Sequence, residues 1–196
     1  MGRLALLLFL MLPSDQPRQV NYDSSYHEEL YTFAEFGLKE AYTSSLIVHS
    51  INEQGQMATG SGNYFQVFGK TFILTAAHVV TDSAEVFVVE RSGDLHPVEV
   101  VHVDLFRDLA IVISKTKLEF TNPVRYRPSS TIEIGEEVFY CGHPSSMYFT
   151  TYHGRVSGFN NQFLLTDTFA WPGSSGSILF NKSGEVIGAI SALSVD

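Results

Sequence analysis

The sequence predicts an all-β protein built from two packed antiparallel β-barrels, and two observations carry that expectation. From Ser45 onward, short runs rich in Val, Ile and Phe recur, separated by Gly, Asp or Ser. That is the pattern of strands joined by turns. The runs fall into two clusters on either side of a stretch that holds Pro123, Pro128 and Ser129-Ser130 and has little periodicity. Short strands in two groups suit two barrels that share an interface. A cleft between two such units is a usual place for a site.

The elements follow in chain order. Residues 1–14 read Met-Gly-Arg, an apolar run Leu4 to Leu12, then Pro13-Ser14. One positive charge before a short apolar run suits a secretory signal and is too short to span a bilayer. The expectation is export to a periplasmic or secreted location, with the mature chain starting near residue 15; an uncleaved anchor is the alternative, and a cytoplasmic protein if the run is no signal. Residues 15–24 are polar and read as a linker. Ser25 and Glu28 have capping-box spacing, and Leu30, Phe33, Ala34, Leu38 and Ala41 then recur at helical spacing. A docking helix is therefore expected over 25–42. The domain proper is expected over 25–196, with a first barrel at 45–115, a linker at 116–135 and a second barrel at 136–196. Its strands are expected at Leu46–Ile51, Gly60–Val67, Thr71–Leu74, Glu85–Val89, Val98–Val103, Leu109–Ser114, Glu137–Cys141, Phe149–Gly158, Gln162–Thr166, Ser177–Phe180 and Val186–Ala192.

Composition narrows the function classes. The 196 residues are 44% hydrophobic and 17% charged, which allows a real core. Twelve basic against twenty-one acidic residues leave a net charge of −9, which disfavours nucleic acid and anionic membrane as partners. The single cysteine, Cys141, forms no internal disulfide, and no Cys/His cluster has metal-ligand spacing. Neither a metal nor another cofactor is expected, and a membrane contact is expected only through an uncleaved amino-terminal segment.

The chemistry centres on Trp171-Pro172-Gly173-Ser174-Ser175-Gly176-Ser177. Glycines flanking a serine allow tight backbone turns and let a carbonyl approach. They also let successive N–H groups aim at one spot. The same composition would serve an idle loop. A serine hydroxyl needs a base, and His78, in Thr75-Ala76-Ala77-His78-Val79, stands at the end of an apolar run. A lone histidine is more often structural. Asp108 opens the run Leu109-Ala110-Ile111-Val112-Ile113. A carboxylate at the mouth of a buried strand needs a hydrogen-bond donor, which an imidazole N–H supplies. Asp104 is the competing carboxylate.

At these residues the chain resembles a known family. The order His, Asp, Ser is that of the chymotrypsin-type triad. Thr75-Ala76-Ala77-His78-Val79, Asp108-Leu109-Ala110-Ile111 and Gly173-Ser174-Ser175-Gly176-Ser177 resemble the signature segments of trypsin-like serine proteases, most closely the HtrA/Deg branch. Gly60-Ser61-Gly62, Gly135-Glu136-Glu137-Val138, Gly142-His143-Pro144, Gly154-Arg155-Val156-Ser157-Gly158, Thr166-Asp167 and Gly184-Glu185-Val186-Ile187-Gly188 resemble further segments of that branch. The resemblance covers about residues 30–193.

It implies a chymotrypsin-fold serine endopeptidase acting on polypeptides through an acyl-enzyme. Ser175 would be the nucleophile, His78 the base and Asp108 its orienting acid, with the Gly173 and Ser175 N–H groups as the oxyanion hole. The substrate pocket would be formed by Phe169, Ala170 and Trp171 on one side and Ser191, Ala192 and Leu193 on the other. Phe169 stands where trypsin carries its cation-binding aspartate, so the implied preference is for small or medium aliphatic residues before the cleaved bond. Ser177 replaces a usual glycine and fits only at negative φ, and Ile178 replaces a usual proline. Relatives of this branch continue for at least one further strand, so the resemblance leaves three readings of the last strand open: it is unnecessary here, supplied by the amino-terminal segment, or lost in a truncated product; no PDZ domain is expected. Two other readings remain open from the sequence: a catalytically silent protease fold that binds peptides or a partner, and a viral or phage-type processing protease. Oligomeric state and natural substrate are not encoded in any motif.

Overall fold

A computed structural model of the chain describes residues 33–161 and 163–191. The expected amino-terminal apolar run, the Ser25 cap, Ala192 and Leu193 lie outside the described residues. The first element is helix α1 (Phe36–Ser44), with Glu35 at its N-cap. Strands β1 (Ser45–Ile51), β2 (Met57–Val67), β3 (Lys70–Thr75), β4 (Glu85–Val89), β5 (Leu95–Asp104) and β6 (Leu109–Ser114) follow. The one-turn helix α2 (Ala77–Val80) sits between β3 and β4, and the two-residue strand β7 (Val124–Arg125) comes next. The second half carries β8 (Glu137–Gly142), β9 (Thr150–Asn160), β10 (Phe163–Thr166), β11 (Ile178–Asn181) and β12 (Val186–Ala189).

The first six strands run in the order β1-β4-β5-β6-β3-β2, and the β1–β2 pairing closes them into a barrel. Alternation drives this closure. Leu46 and Val48 on β1, Val86 and Val88 on β4, and Ala110 and Val112 on β6 point inward at every second position and form one buried cluster. Strand β7 adds to β2 in parallel, with Phe65 opposite Val124. The second half is a curled five-stranded sheet, β10-β9-β8-β11-β12, open among the described residues. Fold class is thus all-β, with a closed first barrel and, among the described residues, a curled half-barrel.

Strand β8 lies where the halves meet, and Val138 to Gly142 are all buried. Val138 and Tyr140 face the core of the second half. Cys141 faces a separate cluster with Ala41, Phe65, Val124, Ile178 and Phe180, which is the core between the halves. Phe65 is its hub, stacked on Phe180 at 6.0 Å and meeting Tyr126 edge-on at 5.5 Å. The buried thiol of Cys141 is pushed up to about 12 by its burial, which makes it an inert apolar filler.

Helix α1 docks on this interface through Gly37, Ala41 and Ser44, one face at helical spacing. Its first turn is tied down by the Gly37 N–H, which donates to the Lys182 carbonyl at 3.1 Å. A Cβ on Gly37 would stand 1.8 Å from the Asn181 carbonyl oxygen. Gly37→Ala gains helix propensity of at most about 1 kcal/mol, but the clash is with backbone, which cannot rotate away. Overpacking of this kind costs about 1–3 kcal/mol, so the variant is expected to lose net stability. Urea midpoints measure it, and a midpoint at or above wild type would refute this docking.

Candidate active site

The residues singled out in the sequence come from four separate elements. His78 lies in α2, directly after β3, where buried Ala76 and Ala77 leave room for the turn to pack. Asp108 precedes β6 at φ +53. That left-handed conformation is costly for a non-glycine residue, and here four hydrogen bonds hold it. The Ala77 N–H donates to the Asp108 carbonyl at 3.2 Å. The His78 backbone N–H donates to Asp108 Oδ1 at 2.9 Å, and the ring Nδ1 lies 2.8 Å from Oδ2. A carboxylate only accepts, so His78 carries its proton on Nδ1 and leaves the Nε2 lone pair free. Ser191 Oγ donates to Asp108 Oδ2 at 2.5 Å. Burial works to raise the Asp108 pKa, but the Ser191 and His78 hydrogen bonds outweigh it and hold the carboxyl below its usual value. Asp104 is occupied elsewhere: it accepts from the Phe106 and Arg107 N–H groups and pairs with Arg107 Nη1 at 2.8 Å.

The loop carrying Ser175 has no secondary structure of its own, so its backbone groups must be accounted for singly. The Ser145 N–H donates to the Pro172 carbonyl at 3.0 Å, and Ser61 Oγ donates to the Gly173 carbonyl at 2.7 Å. The Ser177 N–H donates to the Ser174 carbonyl at 3.0 Å, and the Ser61 N–H to the Ser175 carbonyl at 2.7 Å. On the donor side, Ser174 N–H bonds Trp171 O at 2.8 Å and Gly176 N–H bonds Ile190 O at 2.8 Å. Two N–H groups of the loop, those of Gly173 and Ser175, have no acceptor among the described residues. Gly173 has φ +102, and a Cβ there would lie 2.5 Å from the His143 carbonyl oxygen, so only glycine fits. Ser175 itself is nearly buried, and its hydroxyl makes no hydrogen bond to His78 among the described residues. Catalytic hydrogen bonds in unliganded sites are often long and tighten only with substrate.

Around the loop stands a ladder of aromatic rings. Buried Tyr140 stacks on Tyr152 at 4.9 Å, Tyr152 on Phe169 at 5.7 Å, and Phe169 on Trp171 at 6.1 Å with planes 5° apart. Phe169 and Trp171 are half exposed and Ala170 is exposed. Tyr140 Oη donates to the Phe169 carbonyl and lies 3.5 Å from Ser174 Oγ. Asp167 accepts from the Arg155 N–H at 2.5 Å, which commits it to strand β9. Ser191, one of the expected pocket residues, gives its hydroxyl to Asp108. No spacing in the sequence signals a contact 83 residues apart.

His143 supports the loop from beneath. It is fully buried; its Nδ1 accepts the Phe149 N–H at 2.9 Å, so Nε2 carries the proton toward Ser45 Oγ at 3.2 Å. Its own N–H donates to Ser61 Oγ at 3.1 Å.

Comparison with known proteins places the chain in a family. The model of the trypsin-like peptidase domain matches residues 60–188, and the chain belongs to that family. It is 30% identical over 141 residues to a Chlamydia pneumoniae protein named "Probable periplasmic serine endoprotease DegP-like", covering 67% of this chain and 28% of that one. It is 31% identical over 134 residues to the Bacillus subtilis serine protease Do-like HtrB, covering 61% of this chain and 29% of that one. The chain thus spans less than a third of these two relatives. Among solved structures, the serine endoprotease from Yersinia pestis superposes with a TM-score of 0.66 at 28% identity, over 78% of this chain and 55% of that one.

The His143 environment sets a pH dependence. Burial above all, with the nearby charges of His49 and Arg91, pushes its pKa down to about 3. The unfolded chain takes up that proton near pH 6.5. Between these values the unfolded state binds more protons, so stability is full above about pH 6.5 and falls as pH drops toward 3. The expected loss between pH 7 and 5 is about 2 kcal/mol. Urea unfolding at both pH values measures it, and His143→Gln should flatten the dependence. Equal pH slopes for wild type and variant would contradict it.

Proposed function

We propose that the protein is a serine endopeptidase that cleaves polypeptides through a Ser175–His78–Asp108 triad. The observation that supports this most is the pairing of a His78–Asp108 couple with a serine loop in which the Gly173 and Ser175 N–H groups have no acceptor among the described residues. In the proposed reaction, Ser175 Oγ attacks the scissile carbonyl carbon while His78 Nε2 takes the hydroxyl proton. Asp108 keeps the ring in the Nδ1–H tautomer and stabilises the imidazolium. The oxygen of the tetrahedral intermediate accepts from the Gly173 and Ser175 N–H groups, each donor being worth roughly 10²–10³ in rate. His78 then gives its proton to the leaving amine, the C–N bond breaks, and an acyl-enzyme remains. Water, deprotonated by the same imidazole, releases the acid and restores Ser175.

Small or medium aliphatic residues are the proposed preference before the cleaved bond. Phe169, Ala170 and Trp171 offer apolar surface, and Ser191 has no free hydroxyl to add. Asp167, the nearest acid in sequence, is bound to the Arg155 N–H, so a substrate cation would stay unpaired at a cost of several kcal/mol. Apolar pockets separate such side chains by only about 1–3 kcal/mol, so the preference is broad. Export is proposed from the apolar run Leu4–Leu12 and from the periplasmic location in the chlamydial relative's name. A second reading, a silent peptide-binding fold, draws on the lack of a Ser175–His78 hydrogen bond among the described residues.

An active-site serine probe separates the two readings. Covalent labelling of wild type but not of Ser175→Ala is expected, and an unlabelled wild type would favour the silent fold. Ser175→Ala and His78→Ala should each abolish hydrolysis without loss of fold, since the triad acts as a unit. Asp108→Asn should fail by about 10⁴ and Asp104→Asn should be mild; the reverse pattern would reassign the acid. Cleavage of a peptide library should favour Ala, Val, Ile or Leu before the scissile bond. A dominant preference for Arg, Lys or Gln would overturn this pocket.

A further inference from the structure

We infer that Ser61 is a positioning residue of the reaction, acting through Gly173 to aim the oxyanion hole; the inference rests on the serine-peptidase reading above. Ser61 lies in β2, in the first barrel, and is fully buried. Its backbone N–H holds the Ser175 carbonyl at 2.7 Å, and its hydroxyl holds the Gly173 carbonyl at 2.7 Å. The same hydroxyl oxygen accepts the His143 N–H at 3.1 Å. A hydroxyl has one proton. With His143 donating to the oxygen, that proton can serve only the Gly173 carbonyl, so the rotor is fixed.

This matters because Gly173 is the one residue of the hole whose backbone is free of side-chain constraint. Its N–H lies in the peptide unit shared with Pro172, whereas the carbonyl that Ser61 holds lies in the next unit, so Ser61 acts on that N–H by fixing the φ and ψ of Gly173 between the two units. Peptide units are planar and trans, so holding a carbonyl also aims the N–H across the same unit. The plane before Gly173 is pinned at Pro172 O by the Ser145 N–H, at 3.0 Å. The plane after it is pinned by Ser174 N–H to Trp171 O at one end and by the Ser61 hydroxyl at the other. Ser61 is the side chain in that set that a substitution can remove. Ser61 is thus joined to both residues whose N–H groups face the developing oxyanion, through backbone at Ser175 and through its hydroxyl at Gly173.

Full loss of an oxyanion donor costs roughly 10²–10³ in kcat. A tilted donor forfeits part of that, so Ser61→Ala is expected to lower kcat about ten- to hundredfold with KM within about threefold. Affinity for a peptide boronic acid, whose tetrahedral adduct presents an oxygen to the hole, should fall by the same factor as kcat. Ser61→Thr, which keeps the hydroxyl on a β-branched side chain suited to a strand, should recover most of both. Ser61→Cys keeps the shape with a weak donor and should behave like Ala, and it serves as the deletion if Ser61→Ala does not fold. A merely structural serine would lower the melting temperature but leave kcat and boronate affinity within about twofold; that result, or equal losses in Thr, Cys and Ala variants, overturns the inference. If wild type itself neither cleaves an aliphatic peptide anilide nor binds the boronate, the peptidase reading fails and the inference falls with it. An active wild type beside an equally active Ser61→Ala variant refutes the inference alone.

Discussion

The hydrogen bond from the Ser61 N–H to the Ser175 carbonyl is the contact on which the site depends. The nucleophile loop makes no ladder of its own and takes its geometry from β2 across the junction of the halves. Such a bond requires strand and loop to approach at backbone distance, and the residues on either side of Ser61 must permit it. A Cβ on Gly60 would stand 2.6 Å from Val79 Cγ2 and 2.9 Å from the Ser175 carbonyl oxygen. Gly60 is therefore a steric requirement of the contact, and Gly62 one of packing inside the barrel, where a Cβ would lie 2.9 Å from the Leu74 carbonyl oxygen. The same strand carries Asn63, whose Oδ1 accepts the Ile178 N–H at 3.0 Å and whose Nδ2 donates to Ser44 Oγ at 2.8 Å. One edge of β2 thereby ties helix α1, strand β11 and the nucleophile loop to a closed barrel, and rigidity comes from that closure.

Polar groups in the interior follow the rule that buried donors and acceptors must be matched. Glu90, whose side chain is fully buried, accepts from His96 Nε2 at 2.9 Å and from the Glu119 and Phe120 N–H groups at 3.1 and 2.9 Å. It fastens the segment between the halves to the first barrel, which turnless composition around residue 119 would not reveal. Arg91 lies over the Tyr42 ring at 4.1 Å and the Phe149 ring at 5.4 Å, which binds α1 to the loop that supports Gly173. These contacts stiffen the scaffold around a loop with two N–H groups that have no acceptor among the described residues.

Much of the strand framework was legible because alternation of Val, Ile and Phe is a local signal. Most expected strands fall within a few residues of those observed, and Glu85–Val89 and Leu109–Ser114 coincide with them. Strand β7 escaped because two residues carry no period, and its existence depends on β2 as a parallel partner. The first described helical residue is Phe36, and the observed helix runs to Ser44, past the expected end at 42. Ser44 and Ser45 read as polar in sequence, yet both are buried because Asn63 and His143 supply partners from other elements. In the site, residue types suggested His78, Asp108 and Ser175, and the fold brings His78 and Asp108 into contact. The parts played by Ser61, Ser145 and Ser191 were not legible. Each acts through hydrogen bonds to residues distant in the chain, and serine is too common for its presence to be a signal.

Ser177 shows how the loop accommodates an unusual residue. It is absent from the positions of positive φ, so a Cβ is allowed there. Its hydroxyl is buried and has no partner among the described residues, a deficit of about 1–3 kcal/mol. The space it fills lies against Gly142, where a Cβ would come within 2.6 Å of Ser177 Oγ. Side chain and glycine are thus complementary: the hydroxyl occupies volume that Gly142 leaves empty, and an empty pocket there would forfeit dispersion contacts in turn. The Gly142-His143 segment beside it carries the N–H that orients Ser61 and the carbonyl that confines Gly173. A polar group left unmatched at this point sits where the backbone of three segments converges, which is where local strain and function are most often found together.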